Sequence, residues 1–222
     1  LPHIMQRAFG YMMTGRRGPV LIDMPMDVQC DSADVVLPEP EEHKPMGRQF
    51  ADPKSIEKAG ELLSKSKRPV ILAGGGVLAS DACNELKELA ELLGSAVVTT
   101  MMGKSAFPEN HPLYGWHTGS KGTRCGNKLT SSADVLLAVG CRFADETTSS
   151  YKHGVSFSIP PTELIHIDID ESEIGKNYPC KVGIVADAKT ALSQLIDCIK
   201  DMPKVDRSGY ANEIRKLVQE WF

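Results

Sequence analysis

From residue 51 onward the chain alternates short, wholly apolar runs with amphipathic helical stripes, and this alternation limits the available folds more than any single motif. Asp52-Pro53 offers an N-cap followed by proline at the first helical position, and Ile56, Ala59, Leu62 and Leu63 supply the stripe. Pro69-Val70-Ile71-Leu72-Ala73 is an apolar run closed by Gly74-Gly75-Gly76, and the periodicity predicts a helix from about Ser80 to Leu93. Ala96 to Thr99 reads as a second strand, followed by an irregular stretch to about Thr123 and a short helix. Asp134 to Val139, Leu164 to Ile169 and Val182 to Val185 are further strands, the last leading through Asp187 into a helix over Ala188 to Ile199. Strands apolar on both faces and separated by helices belong in a parallel sheet covered on both sides. The expected fold class is α/β, a doubly wound parallel sheet.

The flanks read differently. Leu1 to Met13 carries the apolar stripe of a helix end, and Gly18 to Pro25 reads as one buried strand closed by proline. One helix and one strand make no core, so residues 1–27 are expected to be the tail of a preceding domain. Between Asp27 and Arg48 lie Pro38, Pro40 and Pro45 with an acidic run at Glu39, Glu41 and Glu42, a composition that resists helix and central strand. Residues 28–50 are therefore expected to be a linker and residues 51–202 a domain. Asp201-Met202-Pro203-Lys204 breaks the last helix of that domain, and a helical stripe returns over Tyr210 to Phe222, so residues 203–222 are expected to lead onward.

Composition narrows function mainly by exclusion. With 25 basic and 29 acidic residues the net charge is −4, which offers no positive field for nucleic acid or an anionic membrane. No run approaches the ~20 apolar residues of a membrane helix, and no signal pattern opens the chain. Six scattered cysteines, without C-x-x-C pairing, suit free thiols in a reducing cytoplasm. Cys125, His111 and His117 match no usual zinc spacing, and no metal site is assigned. Neither a nucleophile elbow nor paired carboxylates on one helix stand out, so the chemistry is borrowed or absent.

In a doubly wound sheet ligands bind beyond the carboxyl ends of the strands, where strand order reverses. That rule selects Gly74 to Gly76, Thr100 to Gly103, Gly140 to Asp145, Asp168 to Asp170 and Asp187. Gly74 to Ala79 fits G-x-G-x-x-A, but the strand after it ends Thr99-Thr100-Met101-Met102, without the acidic residue a dinucleotide fingerprint requires. A phosphate-approach role and a close-packing turn stay equally open for those glycines. Asp187 has helix capping as its default role, Asp168 and Asp170 either cap the next short helix or accept from ribose or adenine, with capping the default, and Thr147 to Ser150 reads as a solvated loop.

Six ordered segments go further. They are Gly15-Arg16-Arg17-Gly18-Pro19-Val20-Leu21-Ile22-Asp23, Pro69 to Gly76, Thr100-Met101-Met102-Gly103-Lys104, Phe107-Pro108-Glu109-Asn110-His111-Pro112-Leu113, Ala133 to Phe143, and Ile165 to Asp170 with Glu173 to Asn177. Together they resemble thiamine-diphosphate-dependent enzymes of the acetolactate synthase large-subunit group, from residue 1 to about Lys200. The resemblance implies a Rossmann-like central domain preceded by the end of a pyrimidine-binding domain. It also implies that the thiamine-activating glutamate and the magnesium-binding Gly-Asp-Gly motif lie on other domains of the same polypeptide. The parent would decarboxylate a 2-keto acid and carboligate the product, in branched-chain amino acid biosynthesis, with thiamine diphosphate and Mg2+, as a homo-oligomer.

The same resemblance places FAD, or another adenine nucleotide, on Arg16, Gly75, Thr100, Met101, Met102, the Gly119 to Gly122 turn with Lys121, Gly140, Arg142, Asp145, Asp168, Ile169, Asp187 and Ala188, beside Gly74 and Gly76. The pattern departs at two places. Gly119-Ser120-Lys121-Gly122 stands where the group commonly has Gly-Met-His-Gly, and Arg142-Phe143-Ala144-Asp145-Glu146 where it has Arg-Phe-Asp-Asp-Arg. The second exchanges a cation for Glu146, a local charge reversal that disfavours a 2-keto-acid carboxylate. Sulfoacetaldehyde acetyltransferase, glyoxylate carboligase and cyclic-dione hydrolases share the scaffold and remain alternatives. A nucleotide-binding or structural module without catalysis is the other.

Overall fold

A computed structural model describes residues 1–37, 39, 47–203 and 205–221. The chain divides into two units, Leu1–Arg48 and Gln49–Phe222. The first unit holds helix α1 (Pro2–Met13) and the short α2 (Met26–Cys30). The strand expected over Gly18 to Pro25 is absent: the segment is irregular, and Leu21 is 93% exposed. A lone extended run has no ladder to satisfy its backbone, and no other strand of this unit lies among the described residues. The linker prolines Pro38, Pro40 and Pro45, with Glu41 and Glu42, fall outside the described residues, whereas α2 overlaps the start of the expected linker.

In the second unit, Asp52 caps α3 (Pro53–Lys65) by accepting from the Ser55 amide. Strand β1 (Pro69–Ala73) is wholly buried. The helix expected from Ser80 is two: α4 (Gly75–Ala79) starts inside the glycine turn, and α5 (Cys83–Leu93) follows a break at which Asp81 takes φ +54°. After β2 (Ala96–Thr99) comes β3 (Tyr114–His117), which the sequence reading left within an irregular stretch. Its Tyr-Gly-Trp-His run has no β-branched residue, and its register against β2 shifts at Trp116, which takes φ +65°. Then come α6 (Arg124–Ser131), β4 (Val135–Val139), α7 (Asp145–Thr148), β5 (Glu163–Asp168), β6 (Val182–Val185), α8 (Ala188–Ile199) and α9 (Ser208–Gln219).

The six strands form one parallel sheet in the order β3-β2-β1-β4-β5-β6. The doubly wound expectation holds, with the order reversing between β1 and β4. Much of the core is aliphatic: Ile71, Leu72, Leu136, Leu137, Ile165 and Ile167 on the strands and Leu63, Leu86, Leu89 and Leu195 on the helices belong to one buried cluster.

The edge opposite the candidate ligand rim is fastened by charged groups. The Asp134 carboxylate accepts from the Ser66 hydroxyl and from the amides of Lys67, Arg68 and Val135. It thereby joins the entries to β1 and β4. Burial pushes this carboxyl up, but the hydrogen bonds from Ser66, Lys67, Arg68 and Val135 outweigh burial and hold it below the ordinary value. A depressed folded value means that the contribution is complete above the unfolded value, near pH 4, and is lost as pH falls through the folded value. Asp134→Asn is expected to cost about 1–2 kcal/mol at neutral pH, modest because the group is partly exposed. Urea titrations at pH 7 and pH 3 check this, and the gap between the two proteins should narrow at pH 3.

Helix α9 packs as part of this unit. Tyr210 and Ile214 are buried, and Arg68 forms a two-pronged 2.7 Å pair with Glu213 while lying 5.3 Å from the Tyr210 ring centroid. Trp221 stays 46% exposed, and Phe222 is outside the described residues.

Candidate functional site

Strand register sets the rim. Ala73 is level with Thr99 and Val139, Val139 with Ile167, and Asp168 with Val185. The chain leaves each strand by bonding its neighbour: Thr100 N–H to Ala73 O at 3.0 Å, Gly74 N–H to Val139 O at 2.9 Å, Gly140 N–H to Ile167 O at 2.8 Å, and Ala186 N–H to Asp168 O at 3.0 Å. The five post-strand segments chosen from the sequence therefore converge on one edge. Arg16 belongs to the first unit, on the exposed irregular run after α1, and not to this sheet.

At the switch point the backbone closes on itself. The Gly76 amide donates to Gly140 O at 3.1 Å, and Gly140 takes φ +57°. A Cβ on Gly74 would lie 2.1 Å from Gly140 O, and one on Gly140 would lie 2.5 Å from the Gly76 Cα. The close-packing reading of the glycine run thus gains direct support, since the amides of Gly74 and Gly76 already have protein acceptors. Gly75 meets Met102 instead, its would-be Cβ lying 3.3 Å from both the Cβ and the carbonyl oxygen of that residue.

Around this closure the chemistry is mixed. Thr100 caps the turn Met101–Gly103 through its hydroxyl, which accepts from the Gly103 amide at 3.1 Å, and Met101 and Met102 are 52% and 76% exposed. Arg142 and Lys104 are exposed and form no ion pair among the described residues. Asp168 is 6% exposed and accepts from the Asp170 amide at 3.0 Å. Burial pushes its carboxyl up, against the pull of that hydrogen bond and of His166. Ile169 is half-buried beside it, and Asp170 caps the next turn through the Ser172 amide. Asp187 caps α8, accepting from the Lys189 and Thr190 amides, and also accepts from the Ser80 hydroxyl at 2.8 Å; Ala188 is buried behind it.

His166 and Cys141 line the interior behind the rim. The His166 Nε2–H donates to Cys141 O at 2.9 Å. Burial pushes the imidazole down and the Cys141 thiol up to about 12, so the former is neutral and the latter unreactive at pH 7.

The two departures from the acetolactate synthase pattern meet each other. Lys121 Nζ lies 3.3 Å from Glu146 Oε1, with the side chains 69% and 68% exposed. The Ser120 amide donates to Glu146 O at 2.8 Å, and Gly119 at φ +112° has no room for a Cβ, which would sit 2.4 Å from the same oxygen. The charge reversal read from Glu146 alone is therefore corrected to a neutral pair, worth about 0–1 kcal/mol at this exposure. Asp145 opens α7 in an exposed position. Thr147 to Ser150 is also not simply solvated: Thr148 is fully buried, and the Ser149 and Ser156 hydroxyls are 2.7 Å apart. The residues missed from sequence are the polar ones that brace these loops, Ser80 and Asn127. The one available signal was an asparagine, a poor helix former, in the middle of α6.

Among the described residues no cluster of three or more His, Cys, Asp or Glu is arranged to hold a metal. His111 instead contacts Glu91 at 3.1 Å, His117 contacts the Thr99 hydroxyl at 2.7 Å, and Cys125 lies 3.2 Å from the Thr123 hydroxyl. All six cysteines are unpaired, and no described helix is long and apolar enough to cross a membrane.

Comparison with known proteins gives this rim a family. The model of the thiamine pyrophosphate enzyme central domain matches residues 56–195. A protein of Methanocaldococcus jannaschii, assigned as an acetolactate synthase large subunit, is 41% identical over 98% of this chain and 37% of its own length. The acetolactate synthase large subunit of Corynebacterium glutamicum is 40% identical over 90% of this chain and 32% of its own length. A crystal structure from Mycobacterium smegmatis, described as a thiamin diphosphate-dependent enzyme, superposes with a TM-score of 0.71 at 25% identity, covering 93% of this chain and 38% of that one. The chain thus spans about a third of the length of the proteins it matches. With the family match covering most of the sheet-bearing unit, and that unit carrying the reversed parallel order and converging rim described above, the chain belongs to the thiamine pyrophosphate enzymes, in their central domain.

Proposed function

We propose that this chain is the central domain of an acetolactate synthase-like enzyme, and that its rim holds FAD or another adenine nucleotide while the thiamine diphosphate and Mg2+ chemistry resides on other domains. The relatives named as acetolactate synthase large subunits, at about 40% identity across nearly the whole chain, carry this reading. Residues 1–27 then correspond to the end of a pyrimidine-binding domain, and residues 51–202 to the nucleotide-binding domain.

The donor set fits such a nucleotide. Arg142 and Lys104 supply charge for a pyrophosphate, Gly75 allows close approach, and the Asp168 carboxyl accepts from ribose or adenine. Asp187 and Thr100 are engaged in capping and act by holding their loops. A bound flavin would supply a planar, redox-capable ring that this reading uses structurally, without net electron transfer. The protein's own part is to orient the nucleotide along the rim and to keep the interior behind it dry, since His166, Cys141 and Phe143 close the sheet edge there.

Two expected outcomes test the proposal. FAD titrated into the 222-residue chain should quench flavin fluorescence, and Arg142→Ala should weaken binding by about tenfold, the value of one charge-assisted contact. Incubated with pyruvate, thiamine diphosphate and Mg2+, the same chain should form no acetolactate. Measurable product would refute the assignment of the chemistry to other domains.

A further inference from the structure

One turn into α6, the half-buried Asn127 carboxamide makes four hydrogen bonds. Its Oδ1 accepts from the Gly119 amide at 2.9 Å, the Thr118 hydroxyl at 2.8 Å and the Ser156 hydroxyl at 3.0 Å, and its Nδ2 donates to Gly119 O at 3.0 Å. A single side chain therefore holds both backbone polar atoms of Gly119, the residue whose conformation and close contact with Glu146 admit only glycine. The network continues inward: the Thr118 and Thr130 hydroxyls are 3.1 Å apart, Thr130 also donates to Ser156 O at 2.6 Å, and Ser149 reaches Ser156. Thr118, Thr130 and Ser156 are all buried.

What this network braces is strained. Ser149, Ser150 and Tyr151 all take left-handed φ, at +52°, +56° and +59°. Each costs about 1 kcal/mol or more outside glycine and persists only where the surroundings hold it. The segment belongs to the connection from β4 to β5, where a long crossover helix is replaced by α7 and irregular chain.

We infer that Asn127 is a positioning residue for the nucleotide rim: by holding Gly119 and Ser156 together it makes the 118–122 turn and the 149–156 segment one unit. Nucleotide affinity then depends on an amide that touches no ligand. The inference rests on the nucleotide reading above and adds to it a residue that neither motif nor rim position selects.

The test compares the native 222-residue chain with Asn127→Asp and Ser156→Ala by FAD titration, with thermal melts alongside. Asn127→Asp keeps the side-chain volume and three acceptor bonds but sets an oxygen against Gly119 O. At about pH 8 it should bind FAD roughly tenfold more weakly than the native chain, the worth of one buried hydrogen bond with its acceptor left unmet. The deficit should shrink toward about pH 5, because a protonated carboxyl donates to Gly119 O again. Ser156→Ala leaves Gly119 held but cuts the hydroxyl link from Asn127 to the 149–156 segment, and should weaken binding by roughly threefold, less than Asn127→Asp. Native binding with an unaltered Asn127→Asp affinity, or a deficit independent of pH, overturns the positioning role and leaves the nucleotide reading standing. No FAD uptake by the native chain overturns both. If Asn127→Asp does not fold, hydrogen exchange on the native chain decides: FAD must protect 118–122 and 149–156 together, and protection of one alone overturns the inference.

Discussion

Arg207→Ala is expected to lower the unfolding free energy by about 3–5 kcal/mol. Arg207 is 8% exposed and, among the described residues, forms no ion pair. Its guanidinium donates to Ser66 O at 2.9 Å, Leu93 O at 2.9 Å, Leu63 O at 2.7 Å and Ser64 O at 3.0 Å. Those carbonyls lie at the carboxyl ends of α3 and α5, which helix geometry leaves without partners and where the helix dipoles favour a cation. One side chain therefore caps two helices and fastens the start of α9 to both. Burial pushes its value down, yet an arginine keeps its charge over the accessible pH range, so the loss should be independent of pH. Arg207→Lys should recover little, because an ammonium cannot span four diverging carbonyls. At roughly 2–4 °C per kcal/mol for a unit of this size, the alanine variant should melt roughly 6–20 °C lower. A shift under about 2 °C, against that scale, would show that the four carbonyls find water instead.

The second large effect is expected at the switch point. Gly140→Ala places a Cβ against the Gly76 backbone at a residue with φ +57°, and Gly74→Ala places one against Gly140 O. Neither neighbour is a flexible side-chain end that can swing away. Overpacking of about 1–3 kcal/mol adds to about 1 kcal/mol of left-handed strain at Gly140, for a total of about 2–4 kcal/mol. Because both substitutions pry apart the same contact, the double variant should lose clearly less than the sum. Gly209→Ala is the control. That glycine sits in α9 with open space around it, and alanine there should be neutral or stabilising by up to about 1 kcal/mol. Denaturant titrations of the four proteins separate packing at the switch point from a general intolerance of glycine replacement.

The two expectations show what local pattern could and could not disclose. Gly74 to Gly76 was visible as a special turn, but its letters fit a phosphate loop and a packing contact equally well. Only the position of Gly140, 64 residues beyond Gly76 and at the end of the neighbouring strand, revealed the packing contact that Gly74 and Gly76 make. Arg207 carried no signal, since an arginine in a polar stretch resembles any solvated cation until two helix ends are seen to converge on it. Strand β3 was missed because a glycine and three aromatic rings at a bulged sheet edge lack strand periodicity, and the Gly18 to Pro25 segment was over-read because an apolar run was credited with a partner strand. Lys121 and Glu146, 25 positions apart, each looked like an isolated departure and turned out to be one ion pair.

Alternating apolar runs and amphipathic stripes were enough to determine the parallel α/β class, five of the six strands, and the edge on which the post-strand loops gather. Those features follow from side-chain periodicity and from the geometry of a crossover, both local along the chain. Tertiary structure alone decided which amides at the rim stay open, which charges cancel, and which polar side chains brace the loops. Each of these depends on the distance between residues far apart in sequence, and a hydrogen bond or a van der Waals contact changes its value within a fraction of an ångström.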